Sequence, residues 1–532
     1  MSRFPGLVGM LAAAAIAAVS LPAAAAPGLQ VAGVPQFAGV LDLGPAPALL
    51  PVSLALTLDY RHDAELDRLI DAQSDPSSPL FGRFISNAQF NAYFAPSTDA
   101  YARTLALLRR AGFTILRTYD NYTLIDAVAP ARTVDRYFAT EIHVVRQAGS
   151  GLEYANARPA ILPAELAATV DTVVGFDTIQ KAHYYTQRAA PTAIMPTAIG
   201  GPLNGPNGGY GPLAIAEGFD FPVQHGFDGT GHAVANVAGD VLNSDISTFE
   251  TYFGITRTGK LLRTTIQSPN DGANEEATLD VETMGSLDPG ADVHLYILGD
   301  PVDQPGEDAY NKIVSDDSVD AVNSSFGVCE NQDPTYGQAA LKIIRQGEAK
   351  GISWSASTGD GGANECNGPQ SLPAVLPLVL GVGGTTLTVN GSGKYVSESA
   401  WPDGGGGVST TFALPSYQKG VHGLASKTHR NLPDIAFPAD VQDAFYFDGS
   451  WGIIGGTSWA SPTSVALQAE VNEMTNNRAG FSNPLIYGIF KASKYKAFHD
   501  ITTGNNGFPA AKGYDNATGI GSIKGFVLGG LE

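Results

Sequence analysis

The chain of 532 residues has only nine histidines, and none stands in a motif that would make it a catalytic base. A serine hydroxyl that attacks near neutral pH relies on an imidazole held by a carboxylate. His232, in Gly231-His232-Ala233-Val234, comes nearest, but it opens an apolar run through Val237 that reads as a buried strand. Positive charge is also scarce: 31 Lys and Arg against 52 Asp and Glu give a net charge of −21. Nucleic acid as a partner calls for the opposite sign. Residues 1–190 hold 14 basic and 16 acidic residues and the remainder 17 and 36, so the imbalance belongs to the C-terminal part. A carboxylate-rich surface loses charge on acidification, which suits an acid environment. Beyond the N-terminus no apolar run is long enough to span a bilayer, so no membrane anchor is expected. Cysteine is nearly absent. Cys329 and Cys366 lack metal-site spacing, and in an exported chain an even pair suggests a disulfide, with two free buried thiols as the alternative.

Residues 1–26 carry Arg3, an apolar run from Leu7 to Leu21 and a stretch of alanines ending at Ala26, the pattern of a secretory signal peptide. The protein is therefore expected to be secreted. Residues 50–185 alternate strand-like runs (Val52–Leu58, Thr114–Thr118, Thr123–Val128) with helix-like ones (Ala64–Ala72, Thr98–Ala111, Ala131–Phe138), which suits an α+β sandwich. Residues 189–212, rich in Pro and Gly and without periodicity, read as an exposed linker. The division predicted is signal 1–26, N-terminal domain 27–188, linker 189–212 and C-terminal domain 213–532.

The most informative segment is Gly455-Gly456-Thr457-Ser458-Trp459-Ala460-Ser461-Pro462. It supplies a small-residue turn, a hydroxyl and the start of a helix, whose free N–H groups and partial positive charge suit a nucleophile that generates an oxyanion. With imidazole excluded, a carboxylate is the alternative base. Glu276 and Asp280 stand at i and i+4, on one face of a predicted helix. Facing inward, such a pair is stable only if it shares a proton, which pushes one pKa up and the other down. Asp360, in Ser357-Thr358-Gly359-Asp360-Gly361-Gly362-Ala363, would stay protonated if buried nearby and would then donate to an oxyanion.

Taken in order, E-x-x-L-D, S-x-G-D-x-G-A and G-G-T-S-x-x-x-P resemble the sedolisin family of serine-carboxyl peptidases, with further family-like stretches at Ser324-Ser325-Phe326-Gly327, Leu380–Thr385, Gly404–Ser409 and Pro433–Ala436. Asp75–Phe81 and Ala88–Phe94 are similar to the family's kumamolisin-like prodomain. The resemblance implies a subtilisin-like fold, a parallel sheet with flanking helices, behind a ferredoxin-like prodomain that assists folding and inhibits the cleft until the linker is cut. It implies Ser458 as nucleophile, Glu276 as general base, Asp280 as its partner and Asp360 as oxyanion donor. It also implies one structural Ca²⁺, held by the Asp500 and Asp515 carboxylates with the carbonyls of Ile501, Ala511 and Gly513. Two acids in Gly/Asn-rich turns suit that hard cation.

The expected function is a secreted, acid-active endopeptidase, made as a monomeric proenzyme and acting on protein or peptide substrates that add a strand along Ser325-Phe326-Gly327. At pH 4 an ordinary His is neutral in about 0.3% of molecules, whereas an ordinary Glu is roughly one-third ionised. A tripeptidyl-peptidase of the same family, or a neutral subtilisin-like serine peptidase, are the alternative readings.

Overall fold

The computed structural model describes residues 29–35, 39–147, 151–179, 181–189, 203–267 and 273–531. The signal segment 1–26 and residues 190–202 of the linker lie outside the described residues. Among the described residues no helix is long and apolar enough to cross a membrane.

The N-terminal unit is built on a four-stranded antiparallel sheet in the order Thr114–Thr118, Leu124–Pro130, Pro51–Leu58, Val170–Val174. Helix Thr98–Ala111 leads into the second of these strands in chain order, and helix Ala131–Tyr137 follows the third. That is the ferredoxin-like arrangement. Alternate strand residues explain it: Leu54, Leu56, Ile125 and Val173 pack with Leu108 and Val134 of the two helices in one apolar core. Ser97 caps the longer helix by accepting the Ala100 N–H (3.2 Å), and Gly112 ends it at φ 101°.

The C-terminal unit carries an eight-stranded sheet. Along its path run Leu261–Thr265, Asp292–Ile297, Ala233–Ala238, Ala321–Ser324, Ser353–Ser357, Leu380–Val389 and Tyr395–Ala400, and Ile435–Pro438 also pairs with Leu380–Val389. All pairings are parallel except the one to Tyr395–Ala400. Such a sheet must be covered on both faces. In Ala233–Ala238, Val234 and Ala238 face helices Glu275–Leu287 and Thr457–Thr475, while Ala235 and Val237 face Asp303–Asp316 and Pro334–Ala349. The fold is subtilisin-like, as expected.

The two units dock through polar contacts as well as apolar ones. Asn121 Nδ2 donates to Asn311 Oδ1 (2.8 Å), the Tyr60 hydroxyl to the Lys342 carbonyl (3.0 Å), and Arg345 pairs with Asp63 (2.9 Å).

Candidate active site

Functional groups in a parallel α/β sheet gather at the C-terminal ends of the strands. Ser325 directly follows Ala321–Ser324, and Asp360 follows Ser353–Ser357 by three residues. Ser458 is the second residue of the helix Thr457–Thr475. Pro462 lies inside that helix and has no N–H to offer the Ser458 carbonyl four residues back. The Ser325 hydroxyl approaches that carbonyl instead, at 3.4 Å.

Helix Glu275–Leu287 packs beside the helix that begins with Thr457 and Ser458 and is buried from Glu276 to Leu287. Asn274 caps it, accepting the Ala277 N–H at 2.9 Å. Glu276 and Asp280 are 2% and 0% exposed, so a full double negative charge has no solvent to support it. Burial, and then the charge of Asp280, holds the Glu276 carboxyl well above its usual range, with the nearby Ser458 hydroxyl pulling the other way. Burial pushes Asp280 up to about 7, against hydrogen bonds from Ser325, Asn236 and Asn323. The Ser325 hydroxyl donates to Asp280 Oδ1 (2.7 Å), while Asp280 Oδ2 and both Glu276 oxygens lack a partner with hydrogen-bond geometry. Two carboxyls so buried and so near each other cannot both be charged, so the pair holds at least one proton.

Asp360 is fixed by the residue before Ser458. Its Oδ1 accepts from the Thr457 N–H (2.8 Å) and hydroxyl (2.9 Å), leaving Oδ2 buried without a partner. Burial raises its pKa well above the ordinary value despite those two bonds. Gly456 (φ 121°) explains the glycine before Thr457: a Cβ there would lie 1.9 Å from the Tyr185 carbonyl oxygen and 2.7 Å from Asp360 Oδ2. The structure thus brings Ser458, Glu276, Asp280 and Asp360 together. No histidine is a hydrogen-bond partner of Ser458 among the described residues; His232 pairs with Asp320 at 3.0 Å.

The cleft is filled by the chain itself. His183–Tyr184 forms an antiparallel pair with Phe326–Gly327, and Gln187–Arg188 with Ile454–Gly455. Between them lies Tyr185. Its N–H donates to Ser458 Oγ (3.1 Å) and its carbonyl accepts the Ser458 N–H (3.2 Å), while the serine hydroxyl donates to the Ser325 carbonyl (3.2 Å). The Tyr185 phenol is buried against Gly327, where a Cβ would meet its oxygen at 2.0 Å, and bonds the Ser371 hydroxyl at 2.5 Å. Ser458 itself is 0% exposed. The peptide group resting on Ser458 is Tyr185–Thr186, a short way upstream of the segment 189–212 in which activation cleavage is expected. The roles of Tyr185, Ser371 and Thr457 had no signal in the sequence, whereas Ser325 stood in a family-like stretch.

Cys329 and Cys366 form a disulfide, which joins the strand beside His183–Tyr184 to the loop beyond Asp360. At the C-terminus, Asp500 Oδ1 accepts the Gly513 N–H (3.0 Å) and Asp515 Oδ2 the Ala511 N–H (2.7 Å), so both carboxylates address one turn. Ile501 is buried beside them. Among the described residues no group of three or more His, Cys, Asp or Glu side chains is placed to hold a metal ion. A cation there would rest on two carboxylates and backbone carbonyls, a donor set that fits Ca²⁺.

A serine beside buried carboxyl groups, on a subtilisin-like sheet and under its own N-terminal domain, defines the class of serine-carboxyl peptidases made as proenzymes. Comparison with known proteins agrees. The model of the pro-kumamolisin activation domain matches residues 38–179. Sedolisin of Pseudomonas sp. (strain 101) is 30% identical over 509 residues, covering 88% of this chain and 85% of that protein. Kumamolisin of Bacillus sp. (strain MN-32) is 27% identical over 540 residues, covering 93% and 94%. The solved structure of Pseudomonas sedolisin, described as a serine-carboxyl proteinase complexed with two molecules of pseudo-iodotyrostatin, superposes with a TM-score of 0.55 at 28% identity, covering 60% of this chain and 97% of that one. The chain belongs to the sedolisin family.

Proposed function

We propose that the protein is a secreted, acid-active endopeptidase that works through an acyl-enzyme on Ser458, with Glu276 as general base, and that its first substrate is its own Tyr185–Thr186 bond. The single observation that carries this reading is the pair of hydrogen bonds between Tyr185 and Ser458, next to an otherwise unpartnered Glu276. As Ser458 Oγ bonds to the Tyr185 carbonyl carbon, its proton passes to Glu276. The oxyanion takes hydrogen bonds from the Ser458 N–H and from protonated Asp360 Oδ2. Collapse breaks the C–N bond, and the Thr186 amine leaves with the proton from Glu276. Water then hydrolyses the ester by the same proton route in reverse.

Asp280 is a positioning residue: held by Ser325, it keeps a proton available to the pair. Raised carboxyl pKa values favour an acid optimum, because Asp360 must hold its proton and the Glu276–Asp280 pair one between them, which leaves a carboxylate to accept from Ser458, and neutral pH removes those protons. An endopeptidase rather than a tripeptidyl mode is supported by a chain that continues on both sides of Tyr185. Secretion rests on the segment 1–26. Asp500 and Asp515, with the carbonyls of Ile501, Ala511 and Gly513, would hold one structural Ca²⁺ that ties the C-terminal turn together.

The test is to shift purified full-length precursor from pH 7 to pH 4 and identify new termini by mass spectrometry. A fragment ending at Tyr185, absent from Ser458→Ala and Glu276→Gln, is the expected result. Processing by Glu276→Gln at the wild-type rate would overturn the proposed base.

A further inference from the structure

We propose that Glu275, Phe445 and Phe447 form a subsite for a cationic side chain, arginine or lysine, at the third position after the cleaved bond of a substrate. The inference rests on the reading that Tyr185–Thr186 lies at the reacting position. Counting from there, Thr186, Gln187 and Arg188 occupy the first three positions on the leaving-group side. Their register is fixed by backbone, since Gln187 stands opposite Gly455 and Arg188 opposite Ile454, with the Ala189 N–H bonded to the Ile453 carbonyl at 3.0 Å. A substrate strand added to the same edge would present its third side chain at the same place.

What surrounds Arg188 is suited to a cation in two independent ways. Its guanidinium carbon lies 5.3 Å from the centre of the Phe445 ring and 5.2 Å from that of Phe447. The two rings are offset parallel, 5.8 Å apart with an 11° tilt, because residues two apart on the strand Asp443–Phe447 share a face. Ring faces carry partial negative charge and attract cations. The Arg188 Nε also donates to Glu275 Oε1. Phe445 is 1% exposed and its backbone is held by the hairpin to Ser450–Gly455, so the aromatic wall stays in place when the linker leaves. Glu275 is the first residue of the helix that carries Glu276, which fixes the carboxylate end of the subsite to the base. On the other side of the bond the Tyr185 phenol is enclosed by Gly327 and Ser371, so recognition would be aromatic before the bond and cationic three residues after it.

The experiment uses the acid-matured enzyme and a set of quenched fluorescent peptides with the sequence His-Tyr-Tyr-Thr-Gln-X, where X is Arg, Lys, Leu or Glu and the chain extends two residues beyond X. Product masses identify the bond cut in each peptide. Arg and Lys peptides should be cut between Tyr and Thr with kcat/KM roughly tenfold above the Leu peptide, the effect of a cation–π contact joined to a part-exposed ion pair. The Glu peptide should be poorest. In Glu275→Gln and Phe447→Ala the ratio of Arg to Leu should contract at least threefold; because it is a ratio within one enzyme, a general loss of folding does not move it. Cleavage at Tyr–Thr with equal kcat/KM for all four peptides overturns the subsite while leaving the register intact. Cleavage of these peptides at another bond, or none of them cut while an unrelated protein is, overturns the register and the subsite together.

Discussion

Two of the clusters of buried carboxyl groups in this molecule differ in what neutralises them. One is Glu276, Asp280 and Asp360 in the cleft. The other lies where the N-terminal domain meets the helix Asp303–Asp316: Asp126 from the first, Asp308 and Glu307 from the second. Burial raises the carboxyl pKa values in both. At the domain interface Arg117 pairs with Asp308 at 3.1 Å and stands 4.0 Å from Asp126, and the Tyr119 hydroxyl donates to Asp308 at 2.9 Å. No cation is among the leading influences on the three cleft groups. The interface cluster can therefore keep part of its negative charge against an arginine, whereas the cleft depends on protons alone. A raised pKa by itself does not mark a catalytic group. A nucleophile and an oxyanion position within reach do.

The sharpest test substitutes one acid from each cluster. Glu276→Gln should lower kcat for peptide hydrolysis at pH 4 by about 10²–10⁴-fold, the range for removing a general base. Glu307→Gln, equally buried, should leave the matured enzyme within about twofold, since ordinary substitutions away from the reacting atoms leave transition-state contacts intact. Steady-state kinetics on both variants decides the matter, and equal losses would erase the distinction between the clusters.

Next in size is the oxyanion side. Asp360→Ala should reduce kcat by about 10²–10³-fold, as removal of one oxyanion donor does elsewhere. Asp360→Asn keeps a donor that needs no acid pH, so its activity should extend to higher pH than that of wild type. A pH–rate profile for Asp360→Asn that declines at the same pH as wild type would assign the alkaline limb to the Glu276–Asp280 pair instead.

Stability should follow the same protons. A carboxyl with a folded pKa above its unfolded value binds its proton more tightly when folded, so its contribution is complete below the unfolded pKa and is lost as pH rises through the folded one. For Asp280 that window runs from 3.8 to about 7. Glu307, Glu348 and Glu470 shift in the same direction. The Ser458→Ala precursor, which cannot process itself, should therefore melt at a higher temperature at pH 4 than at pH 8, and adding Glu348→Gln should flatten that slope. Thermal melts across the range provide the measurement; a Tm that rises from pH 4 to 8 contradicts it.

The smallest effect is expected at the C-terminal turn. Excess EGTA should lower Tm by a few degrees, the consequence of removing an ion that binds only the folded state. Asp500→Asn should melt like the chelated protein and no longer respond to EGTA. An unchanged Tm in EGTA would remove the cation from the account.

Much of this was legible in the chain. The alternation of strand-like and helix-like runs in residues 50–185 corresponds to a ferredoxin-like sheet, and the spacing of Glu276 and Asp280 does set both on one buried helix. Ser458 opens a helix because glycines and small residues precede it. The disulfide stayed open, because sequence separation does not report distance. The polar chain that holds Asp280, from Ser461 through Asn323 to Ser325, was equally hidden, since each member is an ordinary polar residue until the fold removes its solvent.

The sequence by itself determined the parts: which hydroxyl, which acids, which helices and strands, because these depend on residue chemistry and on periodicities a few residues long. Only the tertiary structure decided that Tyr185 rests on Ser458, 273 residues away along the chain, and that Arg188 lies between Glu275 and two phenylalanines. Register along a sheet edge is set by backbone hydrogen bonds between distant strands, and no local pattern of side chains encodes it.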